Sequence, residues 1–120
     1  MYSEQVLEHF RNPRNAGRLE AATAVVQATN PVCGDVLELA ARVEGGRIAE
    51  ARFLCRGCTT AIACGSWVTE RLVSGGVEAA RALTAEEIAD GLGGLPAATF
   101  HGAQLAAEAV GMLAKKVEGG

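Results

Sequence analysis

Hydrophobic and charged residues alternate along two stretches near the middle of the chain, residues 35–43 and residues 48–55. A repeat of two is typical of a β-strand that buries one face. Gly45 and Gly46 lie between the stretches, and glycine tolerates the positive φ angles that a tight hairpin needs. We therefore expect an antiparallel pair of strands. The inward positions predicted by the alternation are Leu37, Leu39, Ala41 and Val43 in the first strand, and Ala49, Ala51, Phe53 and Cys55 in the second.

Helical periodicity marks four other segments. Residues 3–10 and residues 101–117 place apolar side chains three and four positions apart, as a helix with one buried face requires. A third helix is expected from residue 59 or 60 to residue 73, and Ser74, Gly75 and Gly76 are expected to end it. The sequence TAEE, which begins at Thr84, is a capping box that opens a short fourth helix.

The order of these elements predicts the fold class. A weaker strand signal at residues 24–27 precedes the hairpin, and most of the helices follow it. Strands first and helices afterwards favour an α+β fold, a small three-stranded antiparallel sheet with helices packed on it. A chain of 120 residues is long enough for one hydrophobic core, so we expect a single domain over residues 1–120. Aromatic residues make up only 4% of the chain, so aliphatic side chains must form most of that core.

The net charge and the hydropathy of the chain argue against two classes of partner, nucleic acids and membranes. The net charge of −3 provides no basic surface for phosphate backbones, so we expect no nucleic-acid partner. The first twenty residues carry frequent charges, and no later segment is apolar for long enough to cross a bilayer. We therefore expect no membrane partner and a cytoplasmic location, where the four cysteines would stay reduced.

Candidate chemistry lies at the ends of the predicted elements. Cys33 precedes a strand and has Asp35 two residues beyond it, whereas Cys58 and His101 each begin a helix. Thiolate sulfur and imidazole nitrogen are the ligands that zinc and iron-sulfur clusters prefer. The field of a helix N-terminus favours the thiolate and the neutral imidazole that a metal needs. The ends of neighbouring elements can meet in space, so these residues are candidates for one metal site.

Several motifs, in order along nearly the whole chain, resemble the IscU/NifU-type iron-sulfur cluster assembly scaffolds. They are YSEQVLEHFRNPRNAG at residues 2–17, NPVCGD at residues 30–35, RGCTTAIA at residues 56–63, LP at residues 95–96, and His101 at the head of the last helix. The resemblance implies an α+β domain with a small antiparallel sheet. It also implies a platform on which iron and persulfide-derived sulfur form a cluster, commonly 2Fe-2S, before transfer to apo-proteins.

The same resemblance implies a set of site residues. Cys33 and Cys58 match two of the family's three cysteines, Asp35 matches its aspartate and His101 its histidine. The third cysteine of the family directly follows the histidine, and this chain has Gly102 there. In relatives that cysteine commonly accepts persulfide from a cysteine desulfurase, so the glycine removes a nucleophile as well as a ligand. The four matching residues can still hold zinc or a cluster with mixed ligands.

Three further residues lie outside this matched set. Cys55 forms a CxxC motif with Cys58 and could replace the absent thiol, or it could simply extend the apolar face of its strand. Cys64 lies six residues beyond Cys58, about 9 Å along an ideal helix, and is expected in the core. His9 has no motif partner and is expected at the surface.

Three functions follow from these observations. The first is an iron-sulfur scaffold or carrier that is not an enzyme, holds a labile cluster, receives sulfur from a cysteine desulfurase and serves apo iron-sulfur proteins. The second is a zinc-binding sulfur acceptor of the sulfurtransferase type. The third is a divergent relative that assembles no cluster. Because the site lacks one thiol, a second copy of the chain could complete it, which makes a homo-oligomer a further expectation.

Overall fold

The computed structural model describes residues 1–119 and contains a three-stranded antiparallel sheet in the order β1–β2–β3. The strands are β1 (Ala24–Thr29), β2 (Val36–Glu44) and β3 (Arg47–Arg56). Gly45 and Gly46 join β2 to β3 with φ angles of 59° and 77°. Such angles suit the right-handed twist of the paired strands, and the predicted hairpin and sheet are confirmed.

The described residues also form four α-helices: α1 (Glu4–Arg11), α2 (Thr59–Arg81), α3 (Ala85–Gly91) and α4 (His101–Gly119), with a 3-10 turn at Ala97–Thr99. α2 packs on β3, and α4 packs on β1 and β2. α1 lies on α2, whereas α3 contacts both long helices. Among the described residues, none of the helices combines the length and the apolar character that crossing a membrane requires. The α+β architecture predicted from the sequence is confirmed.

The glycines interrupt the second helix where the sequence predicts its end. Helical geometry breaks at Gly76, where φ is 77° and ψ is −177°, and a separate helical segment then runs to Arg81. The hydroxyl of Ser74 donates to the carbonyl of Glu70 at 3.0 Å, so the serine still belongs to the first segment. Ala80 is buried in the second segment. α2 thus consists of two helical segments joined by a kink at Gly76.

A β-bulge changes which residues of β3 face the core. Arg42 pairs with Glu50 and Val43 pairs with Ile48, which leaves Ala49 as an extra residue. The extra residue shifts the alternation by one position. Ile48 is therefore buried and Ala49 is exposed, and the predicted inward position of Ala49 is wrong.

His9 is buried, so its predicted place at the surface is wrong. It lies three residues after Val6, and both face α2. The His9 Nδ1 atom lies 2.7 Å from the Ser66 hydroxyl, which also accepts the backbone N–H of Arg14 at 2.9 Å. The carboxylate of Glu70 lies 3.7 Å from His9 Nε2. The side chain thus links α1 to α2, a role that appears only once the two helices are packed.

The burial of His9 predicts a pH dependence of stability. Burial, and secondarily the positive charge of Arg14, lower the pKa of His9 below its ordinary 6.5, although Glu70 opposes this. Above pH 6.5 the ring is neutral in both folded and unfolded chains. As the pH falls through 6.5 the unfolded chain binds a proton first, so the free energy of unfolding should decrease. Urea unfolding between about pH 7.5 and about pH 5.5 measures the slope.

The matched variant is His9→Gln, which cannot titrate and keeps a polar side chain beside Ser66. Its free energy of unfolding should vary less with pH over the same interval. Equal slopes for the two chains would contradict the assignment to His9.

Both outer strands of the sheet have contacts along their free edges. At the β1 edge, the ammonium group of Lys116 in α4 donates to the carbonyl of Val25 at 2.9 Å. At the β3 edge, the N–H of Phe53 donates to the carbonyl of Asn15, and the N–H of Gly17 donates to the carbonyl of Phe53, both at 2.9 Å. These contacts tie the last helix and the segment after α1 to opposite sides of the sheet.

Candidate metal centre

Cys33 and Asp35 lie on a tight turn that leads into β2. The Asn30 carbonyl accepts the N–H of Gly34 at 2.8 Å, and the Asn30 side chain accepts the N–H of Val32 at 2.9 Å. The turn closes where the Asn30 N–H donates to the Asp35 carbonyl at 2.8 Å. Cys33 is consequently exposed at the turn, whereas Asp35 is half-buried beneath it.

Cys58 and His101 each lie at the start of a long helix. Cys58 is the N-cap of α2 with extended backbone angles (φ −77°, ψ 171°), and its side chain makes no capping hydrogen bond. Its sulfur is therefore free to face the site. His101 is the first residue of α4 and follows the 3-10 turn. The Cys58 Sγ and His101 Nε2 atoms lie 4.0 Å apart.

The structure brings three of the four sequence-predicted ligands, Cys33, Asp35 and His101, into one group, and it places Cys58 outside that group but beside His101. Donor atoms of Cys33, Asp35 and His101 all lie within 4.8 Å of one another. The His101 Nε2 atom is 3.7 Å from Asp35 Oδ2, and it also approaches Cys58 as described above. Two ligands of one tetrahedral metal, with bonds of about 2.0–2.3 Å, lie roughly 3.4–3.8 Å apart. His101 thus connects the exposed turn to the helix end at separations close to those of a shared ion.

The Asp35 carboxylate tests whether the site fits a metal. Its Oδ2 atom is buried and has no hydrogen-bond partner among the described residues. An unpaired buried carboxylate oxygen is costly, because it has lost water without gaining a donor. A cation held by Asp35, His101 and Cys33 would provide the missing partner, and the Cys58 sulfur lies beside His101 on the same side of the site. The residues present therefore fit a metal ion or a metal-containing cargo.

The structure leaves little room for a side chain at Gly102. A Cβ atom added there would lie 3.0 Å from Thr60 Cγ2 and 3.2 Å from the backbone nitrogen of Ala61. α4 therefore approaches the first turn of α2 closely, immediately beside His101. The glycine at this position permits that approach as well as removing a thiol.

The other two cysteines pack with the core. Cys64 is completely buried, as predicted from its helical spacing. Cys55 lies in β3 opposite Leu37 and is partly buried against the core. Burial, and to a lesser extent the neighbouring Asp35 and Cys58, raise the pKa of the Cys55 thiol to about 12. A thiol that holds its proton so strongly is a poor substitute for the absent ligand.

Cys55→Ala is therefore expected to bind metal with an affinity within a few-fold of the parent chain, since the site keeps all four predicted donors. A cobalt titration, followed by the absorption of cobalt-thiolate bonds, measures this directly. A loss of the thiolate absorption in Cys55→Ala would instead make Cys55 a ligand.

One residue beside the site has no place among the predicted ligands. Gly57, between Cys55 and Cys58, lies against the carboxylate of Asp35. No periodicity or spacing indicates this contact, because it joins the end of β3 to the turn before β2.

Comparisons with known proteins agree with this architecture. The family model described as the NifU-like N terminal domain matches residues 1–119. The iron-sulfur cluster assembly scaffold protein IscU 1 of Archaeoglobus fulgidus is 42% identical over 110 residues, which cover 92% of this chain and 72% of that protein. The nitrogen fixation protein NifU of Cereibacter sphaeroides is 53% identical over 93 residues, 78% of this chain and 38% of that longer protein.

A solved structure shares the fold. The N-terminal part of a nitrogen-fixing NifU-like protein from Brucella abortus has a TM-score of 0.76 and 17% identity, and the match covers 98% of this chain and 94% of that one. The family-model match over nearly the whole sequence, together with the two relatives above, carries the assignment. The chain belongs to the NifU-like N-terminal domain family.

Proposed function

We propose that this protein is an iron-sulfur cluster assembly scaffold or carrier, without enzymatic turnover of its own, that holds a labile cluster or its metal precursor. The observation that carries the proposal is the buried Asp35 Oδ2 atom, which lacks a hydrogen-bond partner and lies 3.7 Å from the His101 imidazole. The thiols of Cys33 and Cys58 lie nearby and complete a set of ligands for the iron of a cluster. The name of the Archaeoglobus fulgidus relative, which describes an iron-sulfur cluster assembly scaffold, supports the same function.

The mixture of sulfur, nitrogen and oxygen ligands suits a cluster that must later be released. Cys33, Cys58, His101 and Asp35 together offer four ligands, enough for the four outer positions of a 2Fe-2S cluster. A carboxylate is a hard ligand and binds soft cluster iron weakly, so Asp35 would keep the cluster labile. Delivery to apo iron-sulfur proteins then follows from ligand exchange at the exposed side of the site, where Cys33 lies.

The proposal also includes the source of the sulfur and the oligomeric state of the protein. A cysteine desulfurase would transfer persulfide sulfur to a site thiolate, of which the exposed Cys33 is the most accessible, and an external two-electron donor would reduce that sulfur to the sulfide of the cluster. A second copy of the chain could contribute a further ligand in place of the thiol absent at Gly102. Light scattering during cluster loading would reveal that dimer.

A second candidate function, a zinc-binding sulfur acceptor, is favoured by the glycine at residue 102. With glycine in place of a third cysteine at residue 102, the site offers two sulfurs, one nitrogen and one oxygen, which fill the four positions of a tetrahedral zinc ion. A sulfur acceptor would then release one thiolate from zinc to receive persulfide.

Anaerobic reconstitution with ferrous iron and sulfide tests the proposed function. We expect a visible chromophore, with bound iron and sulfide in equal amounts, that passes to an apo-ferredoxin when the two proteins are mixed. Transfer in the presence of an iron chelator controls for free iron and sulfide in solution. A colourless product that retains one tightly bound zinc would favour the sulfur acceptor. A chain that keeps neither cluster nor metal would contradict both.

A further inference from the structure

Gly57 lies directly against the Asp35 carboxylate. A Cβ atom added to Gly57 would lie 2.9 Å from Cγ, 3.0 Å from Oδ2 and 3.2 Å from Cβ of Asp35. Non-bonded carbon and oxygen atoms do not approach so closely without repulsion. Any side chain at residue 57 must therefore displace the carboxylate.

Hydrogen bonding does not hold the inner oxygen of Asp35 in place. Its Oδ2 atom has no hydrogen-bond partner among residues 1–119, and the His101 Nε2 atom, at 3.7 Å, is beyond hydrogen-bond distance. The position of this oxygen therefore depends on the shape of the surface beneath it. The bare backbone of Gly57 forms part of that surface.

The backbone itself does not require glycine at this position. Gly57 is absent from the residues with positive φ, in contrast to Gly34 in the neighbouring turn. An alanine at residue 57 would suit the local backbone, and its three shortest contacts would all be with the Asp35 side chain. Substitution at Gly57 consequently acts first on that carboxylate.

We propose that Gly57 is a positioning residue for the metal cargo, because the lack of a side chain there lets the Asp35 carboxylate reach the ligand cluster. This inference rests on the proposed function, in which Asp35 is a ligand. Ligand groups must be held to within about 0.5 Å of their working positions. The contact distances at Gly57 imply a shift of the carboxylate on that scale when a methyl group is added.

Cobalt titrations of a double-mutant cycle test the inference. Gly57→Ala is expected to weaken cobalt binding by about tenfold, the lower end of the loss seen when a residue supporting a metal ligand is changed. In the Asp35→Ala background the same substitution should have no further effect, because the displaced group is gone. Gly111→Ala is the matched control, since a Cβ atom at Gly111 in α4 meets no atom within 4 Å. Equal losses in both backgrounds, or no loss in either, would overturn the proposal.

A second measurement needs no metal. In the metal-free protein, the carbon NMR signal of the Asp35 carboxyl group should move in Gly57→Ala and stay in place in Gly111→Ala. An unmoved signal in Gly57→Ala would overturn the positioning role. If that signal moves and the parent chain binds no cobalt, the positioning of Asp35 stands and the proposed function falls. The NMR and cobalt measurements thus distinguish a failure of the positioning role of Gly57 from a failure of the proposed function.

Discussion

Replacing Cys58 by alanine is expected to abolish the chromophore formed on anaerobic reconstitution with iron and sulfide. Cys58 supplies one of the two thiols at the candidate site, and its sulfur lies 4.0 Å from the His101 imidazole. The substitution leaves Cys33 as the one thiolate for a soft cargo, and we expect bound iron to fall by more than about tenfold. Iron and sulfide analysis, together with the visible spectrum, measures the loss.

Cys55→Ala is the matched control for this experiment, since it removes a thiol three residues away within β3. It should retain the chromophore, and Cys33→Ala should lose it as Cys58→Ala does. A Cys58→Ala protein with the full spectrum and iron content of the parent chain would show that α2 contributes no ligand. The candidate site would then be wrong.

Phe53→Ala is expected to produce the largest loss of stability, about 3–5 kcal/mol in the free energy of unfolding. The ring is 3% exposed and lies directly under α2, since a Cβ atom on Gly65 would come within 2.6 Å of Phe53 Cδ2. α2 cannot close the cavity without moving its N-terminus, which carries Cys58. Small domains are stable by only about 5–15 kcal/mol, so the variant should retain only part of its stability.

Urea denaturation followed by circular dichroism measures this loss. The control is Val25→Ala in β1, whose side chain is 42% exposed, and it should change the free energy of unfolding by about 0.5 kcal/mol or less. A Phe53→Ala chain as stable as Val25→Ala would contradict the position of the ring between β3 and α2.

The sheet and the capped helices could be predicted because each depends on neighbours in sequence. Alternation marked β2 and β3, Gly45 and Gly46 marked the turn, and the capping box at Thr84 marked α3, whose cap bonds are present in the structure. The bulge at Ala49 could not be predicted, since it depends on pairing between strands. The same holds for the short helical segment after Gly76, which the sequence analysis did not predict and in which Ala80 is buried.

Part of the candidate site could be predicted from the sequence, and part could not. Cys33, Asp35, Cys58 and His101 carry recognisable ligand chemistry, and their motifs placed them at element ends that meet in the fold. The distance between two packed elements, and the space left beside a side chain, produce no recognisable pattern in the sequence. The contact of Gly57 with Asp35 depends on how the elements pack, and the burial of His9 by α2 does too.

The bond from Lys116 to the Val25 carbonyl has a consequence for how copies of this protein meet at high concentration. β1 is an outer strand, and the free carbonyl and amide groups of such strands can recruit a strand from another molecule and begin aggregation. The lysine occupies one of those carbonyls and sets a positive charge against the incoming backbone. The last helix thereby protects the sheet from intermolecular strand pairing.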